Sequence, residues 1–111
     1  MKNMNNQEKN TYVRQHILSA LLELMETQEF ASISIQALVD AAGVGRASFY
    51  RNFASKEDVL QQESVRLTNE WKTNFDHEHP DGTPGPENLW LISLLDFYKE
   101  HSEFYLALYH A

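Results

Sequence analysis

Between residues 34 and 53 the chain reads SIQALVDAAGVGRASFYRNF, and the glycine at its centre constrains the fold more than any other feature. Ile35, Leu38, Val39 and Ala42 fall at helical spacing before it. Ser34, just ahead of them, has the hydroxyl that accepts a backbone N–H from the first turn of a helix. Gly43 then stops that helix, because a residue without Cβ enters the left-handed conformation at least cost. Val44 drops into the core, and a new helix starts at Gly45 or Arg46 and runs to Asn52 or Phe53. Two short helices joined by about three residues that include glycine have the geometry of a helix-turn-helix.

On the second of these helices Phe49 and Phe53 are an i, i+4 pair facing inward, while Ala47, Ser48 and Arg51 point the other way with Arg46 and Tyr50 on the flank. Such a helix fits a DNA major groove when its outer face is small and carries groups that hydrogen-bond base edges or phosphates. Ala47 and Ser48 meet the size requirement. Arg46 reaches a guanine through two parallel hydrogen bonds, Tyr50 offers a hydroxyl to a phosphate, and Lys56 offers a charge at the start of the next helix.

The rest of the chain reads as helix as well. Val13, Ile17, Leu21, Leu24 and Met25 make one apolar stripe in a helix predicted over residues 10–29. SKED at 55–58 opens a long helix to about Asp76, with Ser55 as cap and Asp58 completing a weak capping box. All three prolines lie in the PDGTPGP stretch at 80–86, which predicts a turn with Pro86 as the first residue of the helix that follows. The final segment is apolar on nearly every side, breaks near His101, and is expected to restart with Ser102 as a cap. Helices of that kind need partners on more than one face. Either a second subunit covers them or more polypeptide follows Ala111.

Charge is unevenly placed. The chain carries a formal −7, yet residues 1–56 hold six Lys and Arg against five Asp and Glu, which leaves −8 on residues 57–111. A polyanion is expected to meet the first half and be repelled by the second. The absence of cysteine excludes disulfides, thiolate nucleophiles and cysteine-ligated zinc. The polar start and the lack of a long unbroken apolar run fit a cytoplasmic protein that does not enter a membrane.

From Tyr12 to Leu60 the chain resembles the DNA-binding domain of the TetR family of bacterial transcriptional repressors. The resemblance rests on Ile17 with Ala20, on Ser34-Ile35, and above all on AAGVGRASFYRNF followed by ASKEDVL. Glycine, tyrosine, phenylalanine and lysine all stand there in the family's register. Two positions depart from it: Gly45 stands where a serine-like cap is usual, and Glu29 where glycine is frequent. The resemblance implies an all-α fold, with a three-helix helix-turn-helix DNA-binding domain at 1–56. A long connecting helix and the beginning of an all-helical regulatory domain would occupy 57–111. It makes Gln36, Arg46 and Ala47 base readers, and Ser34, Ser48, Tyr50, Asn52 and Lys56 backbone-contacting positions. It also implies a homodimer on an inverted-repeat operator of double-stranded DNA, a small-molecule effector that releases it, and a chain shorter than the family's usual length.

Other readings compete. DHEHP at 76–80 gathers two histidines and two carboxylates, without a metal-ligand spacing, so no metal or cofactor is expected. Trp71, Phe75, Trp90, Phe97 and Tyr98 suit either a ligand cavity or a core. No phosphate loop or nucleophile elbow occurs, so an enzyme is not expected. The alternative to DNA binding is a helical protein-interaction module that uses the apolar C-terminal helices.

Overall fold

The computed structural model describes residues 5–78 and 89–111, and these are helical with short connections. Helix α1 spans Asn6–Met25, α2 Ile35–Ala42, α3 Arg46–Asn52, α4 Lys56–Glu78, α5 Leu89–Glu100 and α6 Ser102–His110. A single 3-10 turn, Phe30–Ser32, lies between α1 and α2. The PDGTPGP stretch and Pro86 lie outside the described residues.

α1 begins four residues earlier than its apolar stripe predicts. Asn5 caps it, with its side-chain oxygen 2.7 Å from the N–H of Glu8. It also ends earlier, at Met25 rather than near Glu29. The N–H groups of Thr27 and Gln28 both reach back to the carbonyl of Leu24, which closes the last turn. The 3-10 turn then packs half-buried Phe30 against the core and delivers fully buried Ile33.

α2 is built as its sequence predicts. Ser34 Oγ accepts from the N–H of Ala37 at 3.0 Å. At the other end Gly43 has φ 71°, and its N–H bonds Asp40 C=O while Val44 N–H reaches back to Val39 C=O. This pair of bonds is a Schellman motif, which satisfies two of the carbonyls that a helix end leaves without partners. Val44, half-buried against the core, supplies the apolar contact that accompanies it.

α4 departs from its predicted start in one detail. Ser55 Oγ accepts from Asp58 N–H at 3.1 Å as expected, but Asp58 Oδ2 accepts from Ala54 N–H at 2.9 Å rather than from Ser55 itself. The carboxylate thereby fixes the turn that leaves α3. At α6 the correction is larger: Ser102 is the first helical residue, and His101, which precedes it, makes no side-chain cap.

Helix α1 is the centre of the packing and touches α2, α3, α4 and α6. Ile17, Ala20 and Leu21 of α1, Leu38 and Val39 of α2, Phe49 of α3, Phe53, and Val59, Leu60 and Leu67 of α4 form one buried cluster. Phe97 of α5 and Phe104 of α6 extend it. Trp71 Nε1 donates to Ser93 Oγ at 3.1 Å and ties α5 to α4. The aromatic residues weighed as cavity walls are dispersed: Phe97 is buried, Trp71 stacks on Phe75, and Trp90 and Tyr98 face outward.

Candidate nucleic-acid interface

The site is assembled on α3, which is too short to hold its own orientation. Seven residues are fewer than two turns, and an isolated helix of that length is unstable in water. Its inner side supplies the missing hold. Phe49 is fully buried, and Phe53, just past the helix end, is nearly so, with ring centroids 5.6 Å apart. Tyr50 packs edge-to-face with Phe49, ring centroids 5.2 Å apart, and leaves half of its own surface in solvent. The outward face therefore presents Arg46, Ala47, Tyr50 and Arg51.

Helix α2 contributes to the same surface. Arg46 Nη1 donates to Gln36 Oε1 at 3.3 Å, and Gln36 Nε2 donates to Asp40 Oδ1 at 2.8 Å. Asp40 and Gln36 are an i, i+4 pair, so the carboxylate holds the amide with its oxygen toward Arg46. The guanidinium has five N–H donors, and one bond to Gln36 leaves the remaining fork free for a planar acceptor pair. Gln36 and Arg46, both read as base contacts, are thus brought together, with Ala47 beside them in sequence. Asp40 was not singled out by the sequence, where its only signal is its spacing from Gln36.

The positions read as backbone contacts divide into two groups. Ser34 is exposed, and its hydroxyl accepts within the fold while its own O–H is available as a donor. Tyr50 is on the open face. Ser48 is half-buried, and half-buried Asn52 donates its side-chain amide to Ser48 C=O at 2.8 Å. Lys56 is drawn inward. Its Nζ donates to the carbonyls of Phe30 at 2.6 Å and Ile33 at 2.9 Å and lies 4.6 Å from the centre of the Phe30 ring. The sequence places this charge toward a phosphate; the fold directs two of its three N–H donors to the turn ahead of α2. Those carbonyls are 26 and 23 residues away in the chain, so no local pattern announces them.

Gly45 opens α3 with no side-chain cap, as its lack of a side chain requires, and Phe49 N–H bonds its carbonyl at 3.1 Å. The histidine pair does not form a described site. His77 is exposed on the last turn of α4, and His79 lies outside the described residues. Among the described residues no group of three or more His, Cys, Asp or Glu is placed to hold a metal ion, and no helix is long and apolar enough to cross a membrane.

Residues 17–62, which contain α2, α3, the second half of α1 from Ile17 and the start of α4, match the family described as bacterial regulatory proteins, tetR family. Over this domain the chain is similar to the TetR family. Its match runs from the first buried residue of α1 to Gln62 on α4, so it covers the helix-turn-helix and the elements that hold it. Among curated proteins, the HTH-type transcriptional regulator EthR of Mycolicibacterium smegmatis is 48% identical over 44 residues, which are 40% of this chain and 20% of that protein. EthR of Mycobacterium tuberculosis is 33% identical over 85 residues, 75% of this chain and 39% of the relative. AlkX of the same species is 27% identical over 73 residues, 66% and 34%. The chain therefore spans well under half the length of these relatives. No solved structure matches it.

Proposed function

We propose that this chain is the DNA-reading part of a transcriptional regulator, with α3 as its recognition helix. The observation that carries the reading is the arrangement of α3: two phenylalanines seat its inner side while Arg46, steadied by Gln36, stands on the open face. Support comes from the match of residues 17–62 to the TetR family and from relatives named as HTH-type transcriptional regulators. Arg46 and Gln36 read base edges with Ala47 allowing close approach. Ser34, Ser48 and Tyr50 contact the sugar-phosphate backbone, and Asn52 and Lys56 do so with the donors that the fold leaves them. The protein works in the cytoplasm and has no catalytic role.

By the same reading, residues 57–111 begin a regulatory domain. The full regulator pairs with a second copy across an inverted-repeat operator and leaves it when a small molecule binds. Exposed Trp90, Leu91, Ile92, Leu95, Leu106 and Tyr109 on α5 and α6 favour a covering partner for this part of the molecule. Two recognition helices per complex would also offset the weak charge of a single reading head, whose half of the chain is only +1.

Fluorescence-anisotropy titration with labelled duplex DNA at several salt concentrations tests the reading. Affinity should fall steeply as salt rises, because neutralised phosphates release counterions. Arg46→Ala should reduce discrimination between duplexes more than it reduces binding to all of them. Binding that ignores salt, or discrimination untouched by Arg46→Ala, would overturn it.

A further inference from the structure

Beyond the residues that face outward, three helices meet at one side chain. Gln62 lies on α4, half-buried, and is the last residue of the family match. Its Nε2 donates to the carbonyl of Asn52, the final residue of α3, at 3.0 Å. The same amide donates to Asp58 Oδ2 at 3.0 Å, and that oxygen accepts the N–H of Ala54, in the turn leaving α3, at 2.9 Å. From the opposite side Arg14 of α1 donates to Gln62 Oε1 at 3.3 Å. One amide thus joins α1 and α4 to the C-terminal end of α3.

The end it holds needs holding. The last carbonyls of a helix have no partners within it. In α3, Phe49 C=O takes the N–H of Phe53 and Ser48 C=O takes the side chain of Asn52, which leaves Asn52 C=O to Gln62. Phe49 and Phe53 fix how deep α3 sits, but rings packed along one side restrain tilt less than a bond at the helix end does. With the Asn52 end released the helix rocks about its buried Phe49 anchor; at 1.5 Å rise per residue Arg46 stands about 4.5 Å along the axis from Phe49, so a tilt of about 10° carries its backbone through about 0.8 Å and its long side chain further. Such a shift exceeds the tolerance of a hydrogen bond to a base edge.

We infer that Gln62 is a positioning residue for DNA recognition: through the C-terminal carbonyl of α3 it sets the tilt at which Arg46 meets the groove. The inference rests on the DNA-reading function proposed above. It separates two things that a phosphate contact or a core residue would change together. Gln62 bonds none of Gln36, Arg46, Ala47 or Tyr50; it meets Asn52 at the main-chain carbonyl and exposed Arg14 on α1, so its loss removes no phosphate-contacting side chain and chiefly misplaces the base-reading end.

The test uses the full chain and two duplexes, one recovered by selection from random DNA with the wild-type protein and one of unrelated sequence. Gln62→Met keeps the length and the helix preference of the side chain but removes every hydrogen bond. Its affinity for the selected duplex should fall about ten-fold, the scale of one misread base pair, with unrelated-duplex affinity, salt slope and melting temperature near wild type. Gln62→Glu, which cannot donate when ionised and stands against Asp58, should show the same selective loss, so the test survives if the Met variant fails to fold. Equal affinity of wild type and both variants for the selected duplex would overturn the inference. So would a loss shared equally by both duplexes together with a lowered melting temperature, which marks a purely structural role. If the wild-type protein selects no duplex at all, the function proposed above fails first and this inference with it, and that outcome is distinct from the other two.

Discussion

Phe49 and Tyr50 are neighbours in the chain with opposite environments, and truncating each in turn measures how α3 is seated. Phe49 is 0% exposed and Tyr50 is 51% exposed. Removing a fully buried phenylalanine ring costs about 3–5 kcal/mol, from lost transfer energy and the cavity left behind. A domain of this size has a total stability of about 5–15 kcal/mol, so Phe49→Ala removes a large part of it. With a urea dependence near 1.5 kcal/mol per molar, inside the usual range, the unfolding midpoint should drop by about 2–3 M. Tyr50→Ala loses only the edge contact with Phe49 and half a side chain's burial, about 1 kcal/mol, so its midpoint should drop by under about 0.7 M. Phe49→Leu, which retains most of the volume, should fall between them at about 1–2 kcal/mol and gives a folded variant if the alanine form is too unstable. Urea unfolding followed by circular dichroism reads all three. Tyr50→Ala losing as much as Phe49→Ala, or a Phe49→Ala shift below about 0.5 M, would refute the claim that α3 is anchored by its inner ring and open on its outer one.

Two further substitutions probe the turn and the lysine. At Gly43, with φ 71°, an added Cβ meets no atom within 4 Å, so Gly43→Ala should cost only the backbone strain of about 1–2 kcal/mol and lower the melting temperature by several degrees; an unchanged melting temperature would contradict the left-handed turn. Lys56→Met should lose about 1–2 kcal/mol of stability, because two carbonyls that took hydrogen bonds from a partly exposed ammonium lose their donor; a denaturation midpoint equal to wild type would show that the ammonium does not hold that turn.

The parts of the fold that are legible in the sequence are those set by neighbours within a turn. Ser34 before Ile35, Gly43 after Ala42 and the Phe49–Phe53 spacing each act through local geometry, so α2, the turn and α3 can be drawn from residues 34–53. The start of α1 is less legible because its cap, Asn5 accepting from Glu8 N–H, lies eight residues ahead of Val13, where the apolar stripe begins. The 3-10 turn at Phe30–Ser32 follows from the need to bury Phe30 and Ile33 after α1 has ended, which is a tertiary demand. At the site, the exposure of Arg46, Ala47, Tyr50 and Arg51 on α3 follows from helical spacing, but Ser48, read as outward, is half-buried. The bonds from Arg46 to Gln36, from Lys56 to Phe30 and from Gln62 to Asn52 do not follow from spacing, since each crosses between segments 10 or more residues apart. His101 shows the limit of cap reading as well: Ser102 suits a cap by type, yet the helix begins on it because Tyr105 N–H bonds the carbonyl of His101.

The most direct trial of the outward face of α3 is enrichment from a random pool of duplex DNA, run in parallel with the wild-type chain and with Arg46→Ala. A shared motif should emerge with the wild type, and in the Arg46→Ala pool at least one guanine-containing position of that motif should lose its preference while the others persist. A wild-type pool that stays random through successive rounds, or two pools that converge on the same motif at every position, would contradict the assignment of α3 as the helix that reads sequence.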